Sequence, residues 1–367
     1  MKYYDVRDTL NGYPNAHYYV IYGERSNGKT YSSLDYALEK YLSTGEQFAY
    51  VRRWGEDIRK KQLSQLFAAH AENGRISKLT KDAWSGMDYT GNKFRLTKSD
   101  EDGKLSMNED ICGYAFDLNS MEHYKSISFP RVTTIIFDEF LSRNGYLPNE
   151  FILFTNVIST IVRQRNNVKI IMLGNTVNKS CPYFQEMGLS HVKEQAAGTI
   201  DVYHYGSSGL EVIAEYCSPT SKRGGKKSDV YFAFDNPELQ MITQGAWEIA
   251  IYPHKPCAFK PKEIDCMFFI EFENDLLQCE CVSVDSGPFI FIHRKTTPIK
   301  KPEEDIVYTT KPSEKWNVRM CLTHQTDTFS RRIMQFFKEN KVFYADNEVG
   351  EIVRNYLIWS DGYSIKN

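Results

Sequence analysis

The sequence predicts an α/β fold with a mainly parallel central sheet, followed by a small mixed α/β domain. Strand and helix signals alternate through the first half of the chain, which is typical of βαβ units. A small, polar and basic stretch at residues 218–227 interrupts this pattern, and strand signals follow it. We therefore expect a first domain at residues 1–205, a linker region at 206–250 and a second domain at 251–367.

Apolar, β-rich runs predict the strands of the first domain, at residues 18–22, 48–51, 133–137 and 168–173. Apolar residues at three- and four-residue spacing predict helices between them: one that ends at Gly45, one at 58–71 and one at 149–162. Residues 75–118 have the signals of an antiparallel insertion around an acidic turn at 102–103.

The second domain has an antiparallel start. Strands are predicted at residues 266–272, 276–284 and 288–293, with a hairpin turn at Asn274-Asp275. Helices at 329–340 and 347–359 flank a short strand at 342–344.

Composition excludes several classes of protein. Aromatic residues make up 14% of the 367 residues, which favours a packed core over intrinsic disorder. The 45 basic and 47 acidic residues give a net charge of -2, which excludes a uniformly basic nucleic-acid binder. DNA or RNA contact would then need local basic patches, for which the candidates are residues 59–61, 222–227 and 300–301.

No run approaches the roughly 20 apolar residues of a membrane helix, and the first residues lack the apolar core of a secretory leader. We therefore expect a cytoplasmic protein with no membrane partner. The eight cysteines include no C-x-x-C pair, so reduced thiols are expected in preference to a zinc site or a disulfide framework.

Residues 23–30, GERSNGKT, match the pattern G-x-x-x-x-G-K-[ST] without a mismatch, between a predicted strand and a predicted helix. In such a loop, backbone N–H groups surround phosphates, the lysine reaches the outer phosphates and the hydroxyl binds Mg²⁺. The motif predicts ATP and Mg²⁺ as ligands, with Lys29 and Thr30 in these roles. The predicted ATP-binding residues are Gly23, Glu24, Arg25, Ser26, Asn27, Gly28, Lys29 and Thr30.

An apolar strand ends in two adjacent acids, Asp138 and Glu139. Asp138 is the second predicted Mg²⁺ ligand, and Glu139 can polarise an attacking water. Because a hydrolase needs a base for water, the pair favours ATP hydrolysis over phosphoryl transfer to a metabolite. The alternative interpretation is an acidic strand-to-loop junction without a catalytic role.

Two further positions are expected near the phosphates. Asn175 follows the next buried strand, where it can contact the γ-phosphate or the water; an asparagine in a tight turn is the alternative. Arg52 and Arg53 end the second strand, and one of them can pair with Glu139 and hold it inactive until substrate arrives. Arg53 is included among the candidate catalytic residues.

Arginine fingers, which act on the nucleotide of a neighbouring subunit, are a common source of positive charge in phosphoryl transfer. Arg163 and Arg165 end the helix that follows the acidic pair and are candidates for this role. The alternative is that they only face the carbonyl dipole at the helix end. Lys125 is a candidate for a second cation acting in trans.

The chain resembles the additional-strand P-loop (ASCE) ATPases that package viral DNA. The resemblance rests on five features in this order: the phosphate loop, Arg52 with Arg53, the acidic pair, Arg163 with Arg165, and residues 173–175. The size and two-domain layout look most like the compact encapsidation ATPases of phi-29-like tailed phages, which are terminase large-subunit-like proteins. The resemblance covers residues 15–205. It implies a P-loop ASCE ATPase domain followed by a domain resembling an RNase H-like fold.

The resemblance also implies a function. Such proteins form a homomeric ring, usually of five subunits, at the portal of a preformed prohead and thread double-stranded DNA through it while hydrolysing ATP. A structural RNA links the motor to the prohead in some members. Members act in the infected host cell, transiently on the prohead, and are not expected in the mature virion.

Larger relatives carry a nuclease at the C-terminus, whereas compact members resemble this fold without its cutting function. A two-metal nuclease needs converging acids, and Glu271, Asp285 and Asp346 are the candidates here. We expect solvated strand-end charges and no nuclease activity.

Other functions use the same loop. A P-loop helicase or DNA-pumping ATPase shares the core, and a small-substrate P-loop phosphotransferase shares the nucleotide site. A nucleotide-gated structural switch would bind ATP with negligible turnover.

Overall fold

The computed structural model describes residues 3–100, 104–120, 124–143, 145–176, 179–206, 208–219, 252–314 and 317–362. They divide into two compact units, drawn from residues 1–142 with 149–247 and from residues 143–148 with 248–367. The basic run at 222–227, the turn at 102–103 and most of the expected linker lie outside the described residues.

Ten strands form one sheet in the described part of the first unit: β1 Tyr18–Gly23, β2 Gln47–Arg52, β3 Gly86–Thr90, β4 Lys93–Ser99, β5 Leu105–Met107, β6 Gly113–Asp117, β7 Val132–Asp138, β8 Lys169–Asn175, β9 Thr199–Tyr205 and β10 Leu210–Tyr216. Their order is β3-β4-β6-β2-β7-β8-β1-β10-β9, with β5 paired to β4. The six central strands are parallel, from β6 to β10. The predicted mainly parallel sheet is therefore confirmed.

Strand β8 lies between β1, which leads into the phosphate loop, and β7, which ends in the acidic pair. This is the additional strand that the resemblance implies. In register, Gly23 is opposite Asn175 and Asp138 is opposite Leu173. The loop, the acidic pair and Asn175 consequently lie at one edge of the sheet, where the parallel strands have their carboxyl ends.

The helices of the first unit are α1 Val6–Gly12, α2 Lys29–Thr44, α3 Lys60–Leu63, α4 Ala68–Glu72, α5 Arg75–Thr80, α6 Glu150–Val162 and α7 Pro182–Glu186. Helix α2 buries Leu34, Leu38 and Tyr41 against the sheet, as the spacing predicted. It ends at Gly45, whose positive φ of 73° suits a glycine C-cap.

Two sequence-based expectations for the first unit are wrong. The helix expected at 58–71 is broken into α3 and α4, because Phe67 turns inward between them and packs on Phe48 and Phe94. The first domain was expected to end at residue 205, but β10 follows and lies beside β1, with its last five residues, 212–216, all buried.

The strands of the second unit are β11 Ile264–Phe272, β12 Asp275–Val284, β13 Gly287–Arg294, β14 Ile306–Thr309, β15 Asn317–Met320 and β16 Val342–Tyr344. They form a sheet in the order β15-β14-β11-β12-β13-β16. β11, β12 and β13 are antiparallel, and β14 and β15 continue in parallel from β11. This order is that of an RNase H-like sheet, as the resemblance implied. Helices α8 Thr328–Lys338 and α9 Asn347–Gly362 contribute to the core on one face.

The three candidate nuclease acids do not converge. Glu271 lies at the end of β11, whereas Asp285 follows the far end of the ten-residue strand β12, about 30 Å away along the sheet. Asp346 follows β16, three strands and about 14 Å across from β11. Its carboxylate accepts a hydrogen bond from the Val349 N–H at 2.8 Å, which caps α9.

All eight cysteines are free thiols. Within the described ranges, no helix combines the length and apolar character needed to cross a membrane.

Candidate functional site

The phosphate loop connects β1 to α2. Gly28 has a φ of 98°, a conformation that favours glycine, and it caps the start of α2. The loop is fixed from both sides: the Thr176 N–H donates to the Gly23 carbonyl at 3.1 Å, and the Tyr4 N–H donates to the Asn27 carbonyl at 3.0 Å. This arrangement aims the amino end of a long helix at the site, as anion binding requires.

Lys29 lies inside the loop and is 5% exposed. Its ammonium donates to the Glu24 carbonyl at 2.8 Å and to the Asn27 side-chain oxygen at 3.2 Å. Asn175 at the end of β8 also reaches it, with 3.5 Å between Nζ and Oδ1. These contacts fix the ammonium inside the loop, where the motif places the lysine that reaches the outer phosphates.

Thr30, in the first turn of α2, contacts Asp138, the last residue of β7. The Thr30 hydroxyl is 3.2 Å from each Asp138 carboxylate oxygen. Asp138 is 8% exposed and also accepts a hydrogen bond from the Tyr50 hydroxyl at 2.9 Å. Burial raises the pKa of Asp138, and the nearby Arg52 guanidinium opposes that rise.

The donor set at this point fits Mg²⁺. A hydroxyl and a carboxylate are hard oxygen ligands, and Mg²⁺ typically takes one or two carboxylates together with substrate phosphates. No group of three or more His, Cys, Asp or Glu able to hold a metal occurs within the described ranges.

Glu139 has a left-handed backbone, with φ of 60°, and its side chain is 56% exposed. Its carboxylate accepts a hydrogen bond from Arg52 Nη2 at 2.6 Å. Arg52 also reaches Asp57 at 3.2 Å. The expected contact between a β2 arginine and Glu139 is therefore present, and it is made by Arg52.

The assignment of Arg53 to the catalytic group is corrected by its contacts. Arg53 is buried and its Nε donates to Glu150, with 2.8 Å to the nearer oxygen. Its two terminal nitrogens donate to the carbonyls of Glu139 at 3.0 Å and Phe140 at 2.7 Å. Tyr183 donates to the same Glu150 carboxylate at 2.7 Å. Arg53 thus fixes the backbone that carries Glu139 and does not face the phosphates.

Arg163 and Arg165 lie at the opposite edge of the sheet, where β7 begins. Arg165 donates to the Val132 carbonyl at 2.7 Å, and β7 separates that residue from Asp138 by about 20 Å. Neither arginine can therefore reach the phosphate loop of its own chain.

The two arginines differ in how many of their N–H donors are used by backbone carbonyls of the same chain. Arg165 has five N–H donors, and five backbone carbonyls accept from it, those of Phe129, Pro130, Val132, Ile161 and Val162. Arg163 is exposed and its Nη2 donates to the carbonyls of Lys125 and Ile127 at 3.3 and 2.9 Å. The prediction that Arg165 acts as an arginine finger is therefore corrected, because its donors are used within its own subunit. Arg163 and the neighbouring Lys125 stay as candidates for this role.

The described basic runs carry acidic partners. Arg59 pairs with Glu56 at 3.1 Å, and both side chains are 67% exposed. Lys301 pairs with Glu304 at 2.9 Å. They remain candidate DNA or RNA contacts on a solvated surface.

Sequence reasoning missed Tyr50, Glu150 and Tyr183. A signal for Tyr50 was present, since it precedes Arg52 by two positions in a strand and so shares its face. Glu150 and Tyr183 reach the site only through the fold, and no local pattern marks them.

Two solved structures have folds similar to that of this protein, and each match covers nearly the whole chain. The structure titled the bacteriophage Phi-29 viral genome packaging motor assembly matches with a TM-score of 0.54 and 21% identity, covering 96% of each chain. The Phi-28 gp11 DNA packaging motor matches with a TM-score of 0.51 and 18% identity, covering 100% of this chain and 99% of that chain. At these identities the likeness concerns the fold.

Sequence relatives point the same way. The DNA packaging protein of Bacillus phage B103 is 32% identical over 177 residues, which is 46% of this chain and 47% of that protein. The DNA packaging protein of Bacillus phage phi29 is 32% identical over 167 residues, 45% of this chain and 44% of that protein. The matched region therefore spans about half the length of these curated relatives. The family model for the Podovirus DNA encapsidation protein (Gp16) matches residues 2–205, more than half of the chain and the whole nucleotide site, and the chain belongs to that family.

Proposed function

We propose that this protein is an ATP-driven double-stranded DNA translocase that packages a viral genome into a preformed prohead as a homomeric ring. The observation that carries the proposal is the 3.2 Å contact between Thr30 of the phosphate loop and Asp138 of the acidic pair, inside the region matched by the encapsidation family. A hydrolytic nucleotide site and a packaging family together favour a motor over a metabolite kinase.

Each residue of the site has a defined task in this proposal. Backbone N–H groups of residues 23–30 and the Lys29 ammonium bind the phosphates of ATP. Thr30 and Asp138 hold Mg²⁺, which when bound neutralises charge on the phosphates. Glu139 accepts a proton from the attacking water, and Asn175 contacts the γ-phosphate. Arg52 holds the Glu139 carboxylate, so release of that contact would free the base.

Replacing Lys29 by alanine is expected to reduce ATP hydrolysis by about 10²- to 10³-fold, because it removes a preorganised charge aimed at the phosphates. Lys40→Ala, on the same helix but in a surface pair with Glu46, is the matched control and should retain activity. Steady-state phosphate release measures both. Turnover that survives in Lys29→Ala would place the active site elsewhere.

Arg163→Ala is expected to abolish hydrolysis in a uniform assembly and to be partly rescued by mixing with subunits that lack their own Glu139. The reason is that Arg163 is exposed and contacts the Lys125 and Ile127 carbonyls, away from the phosphate loop of its own chain. Lys125→Ala tests the second candidate in the same way. Arg165→Ala should instead lower the denaturation midpoint, since its five carbonyl acceptors would lose their donor. Activity that is independent of mixing in Arg163→Ala would contradict action across subunits.

We also propose the partners: double-stranded DNA, the portal of a prohead, a structural RNA in the assembled motor, and further copies of this chain in a ring, with five as the expected number. A ring suits the slightly negative net charge, because local patches from several subunits add their fields around one DNA. The protein would act in the infected cell, transiently on the prohead, and would be absent from the mature virion.

The second unit is proposed to lack nuclease activity. The wide separation of Glu271, Asp285 and Asp346 supports this, because two-metal catalysis needs acids around metals about 4 Å apart. Supercoiled plasmid incubated with the protein and Mg²⁺ or Mn²⁺ should stay uncut. Cutting that Glu271→Gln removes would overturn this part of the proposal.

The test of the main proposal is ATP hydrolysis at high protein concentration and low salt, with and without double-stranded DNA. We expect DNA to stimulate hydrolysis, with the stimulation lost as salt rises. Packaging of DNA into purified proheads then completes the test. Hydrolysis that ignores DNA and proheads would favour a phosphotransferase, and ATP binding without hydrolysis would favour a nucleotide-gated switch.

A further inference from the structure

Two cysteines face each other across the first two strands of the second unit. Cys266 on β11 is in register with Cys281 on β12. Opposed Cα atoms of an antiparallel pair lie about 4.5 or 5.5 Å apart, and a disulfide requires about 4.4–6.8 Å. The register therefore places the two cysteines opposite each other at the separation that a disulfide permits, next to an irregularity of the pairing between Ile264 and Cys266.

The two cysteines also differ from a neighbouring cysteine in exposure. Cys266 and Cys281 are partly exposed, whereas Cys279, two positions away on β12, is fully buried. The Cys281 thiol opposite it lowers the pKa of Cys266 to about 7, and the Arg332 guanidinium acts in the same direction. The thiolate is the form of Cys266 that reacts. The other members of the cysteine set lack such a partner in register, since no further Cys–Cys pairing occurs between the described strands.

We propose that Cys266 and Cys281 form a thiol–disulfide couple, an oxidation site that reacts with small-molecule disulfides such as glutathione disulfide. The Cys266 thiolate attacks one sulfur of glutathione disulfide, forming a mixed disulfide and releasing one glutathione thiolate. Cys281 then loses its proton to solvent and attacks the Cys266 sulfur, which releases the second glutathione. Two protein thiols are oxidised to one disulfide, and glutathione disulfide is reduced to two thiols.

The bond would tie β11 to β12, the central hairpin of the second unit's sheet. A cross-link of this kind restricts the unfolded chain, so we expect the oxidised protein to have a higher denaturation midpoint. This inference concerns the second unit and does not depend on the proposed motor function.

The full-length protein is incubated with glutathione disulfide at pH 7.5, alkylated, and cut before aspartate. Cleavage at Asp265, Asp275 and Asp285 releases residues 265–274 and 275–284 as separate peptides. We expect one cross-linked species, lighter than the sum of the two by about 2 Da, with fragment spectra placing the bond at Cys281. No cross-link, or a bond at Cys279, would overturn the proposal.

Single substitutions test the order of the steps. Cys281→Ser should accumulate the mixed disulfide on Cys266, because the second attack is lost. Cys266→Ser should react at least about tenfold more slowly, because the activated thiolate is gone. Cys257→Ser, at a partly exposed cysteine outside the pair, is the matched control and should oxidise like the parent chain. Faster modification of Cys257 than of Cys266 would contradict the assignment.

Discussion

Replacing Glu139 by glutamine is expected to slow ATP hydrolysis by about 10²- to 10⁴-fold while leaving ATP binding intact. Glutamine keeps the size of the side chain and an oxygen that can accept from Arg52, now 2.6 Å from the carboxylate. It cannot take a proton from water. The phosphate loop, Thr30 and Asp138 are unchanged, so binding of a fluorescent ATP analogue and single-turnover hydrolysis together separate the two effects.

Asp57→Asn is the matched control for this substitution. Asp57 also accepts from Arg52, at 3.2 Å, but lies outside the acidic pair. The control removes a negative charge beside the same guanidinium, so it reports the electrostatic part of the change. Loss of ATP binding in Glu139→Gln would mean that Glu139 supports the fold of the site, and equal loss of turnover in both variants would remove Glu139 from the role of base.

Much of the site could be predicted because its parts are local. The phosphate loop is one continuous segment, and Asp138 and Glu139 end a strand whose apolar run is evident from the sequence. Parallel strands then bring these segments together at their carboxyl ends. The contact between Thr30 and Asp138 therefore follows from two local patterns and one rule about sheets.

Other features depend on which way a side chain points. Arg52 and Arg53 are adjacent, and successive residues of a strand face opposite sides, so the sequence did not decide between them. The structure directs Arg52 to Glu139 and Tyr50, two positions earlier, to Asp138, whereas it directs Arg53 to Glu150. The number of acceptors around Arg165 likewise depends on a loop and a helix that are separate in the sequence.

The broken helix at 58–71 shows a different limit. Its composition favours helix, yet Phe67 packs between two aromatic rings of the sheet, 5.9 and 5.8 Å away between centroids. Burial of a phenylalanine is worth about 1.5–3 kcal/mol, which exceeds the difference in helix propensity over one turn. Tertiary packing consequently decides the local structure.

The largest expected effect on folding comes from the pair formed by Arg53 and Glu150. Glu150 is fully buried in its side chain and Arg53 is 6% exposed, so Glu150→Gln leaves a guanidinium charge in the interior without its counter-ion. Removing one partner of a buried pair costs about 3–5 kcal/mol. We therefore expect a marked fall in the urea midpoint of the first unit, measured by tryptophan fluorescence.

The exposed pair of Arg59 and Glu56 provides the matched control, because Glu56→Gln makes the same chemical change where both side chains are 67% exposed. Its expected cost is below about 1 kcal/mol.

A second readout concerns catalysis, since Arg53 donates to the Glu139 carbonyl at 3.0 Å and thereby fixes the backbone of the proposed base. Arg53→Lys keeps the charge but loses the forked geometry, so it should lower kcat with little change in KM for ATP. Equal stability losses in Glu150→Gln and Glu56→Gln would show that the buried pair does not hold this part of the fold, and an unchanged kcat in a folded Arg53→Lys would show that Glu139 is positioned by other contacts.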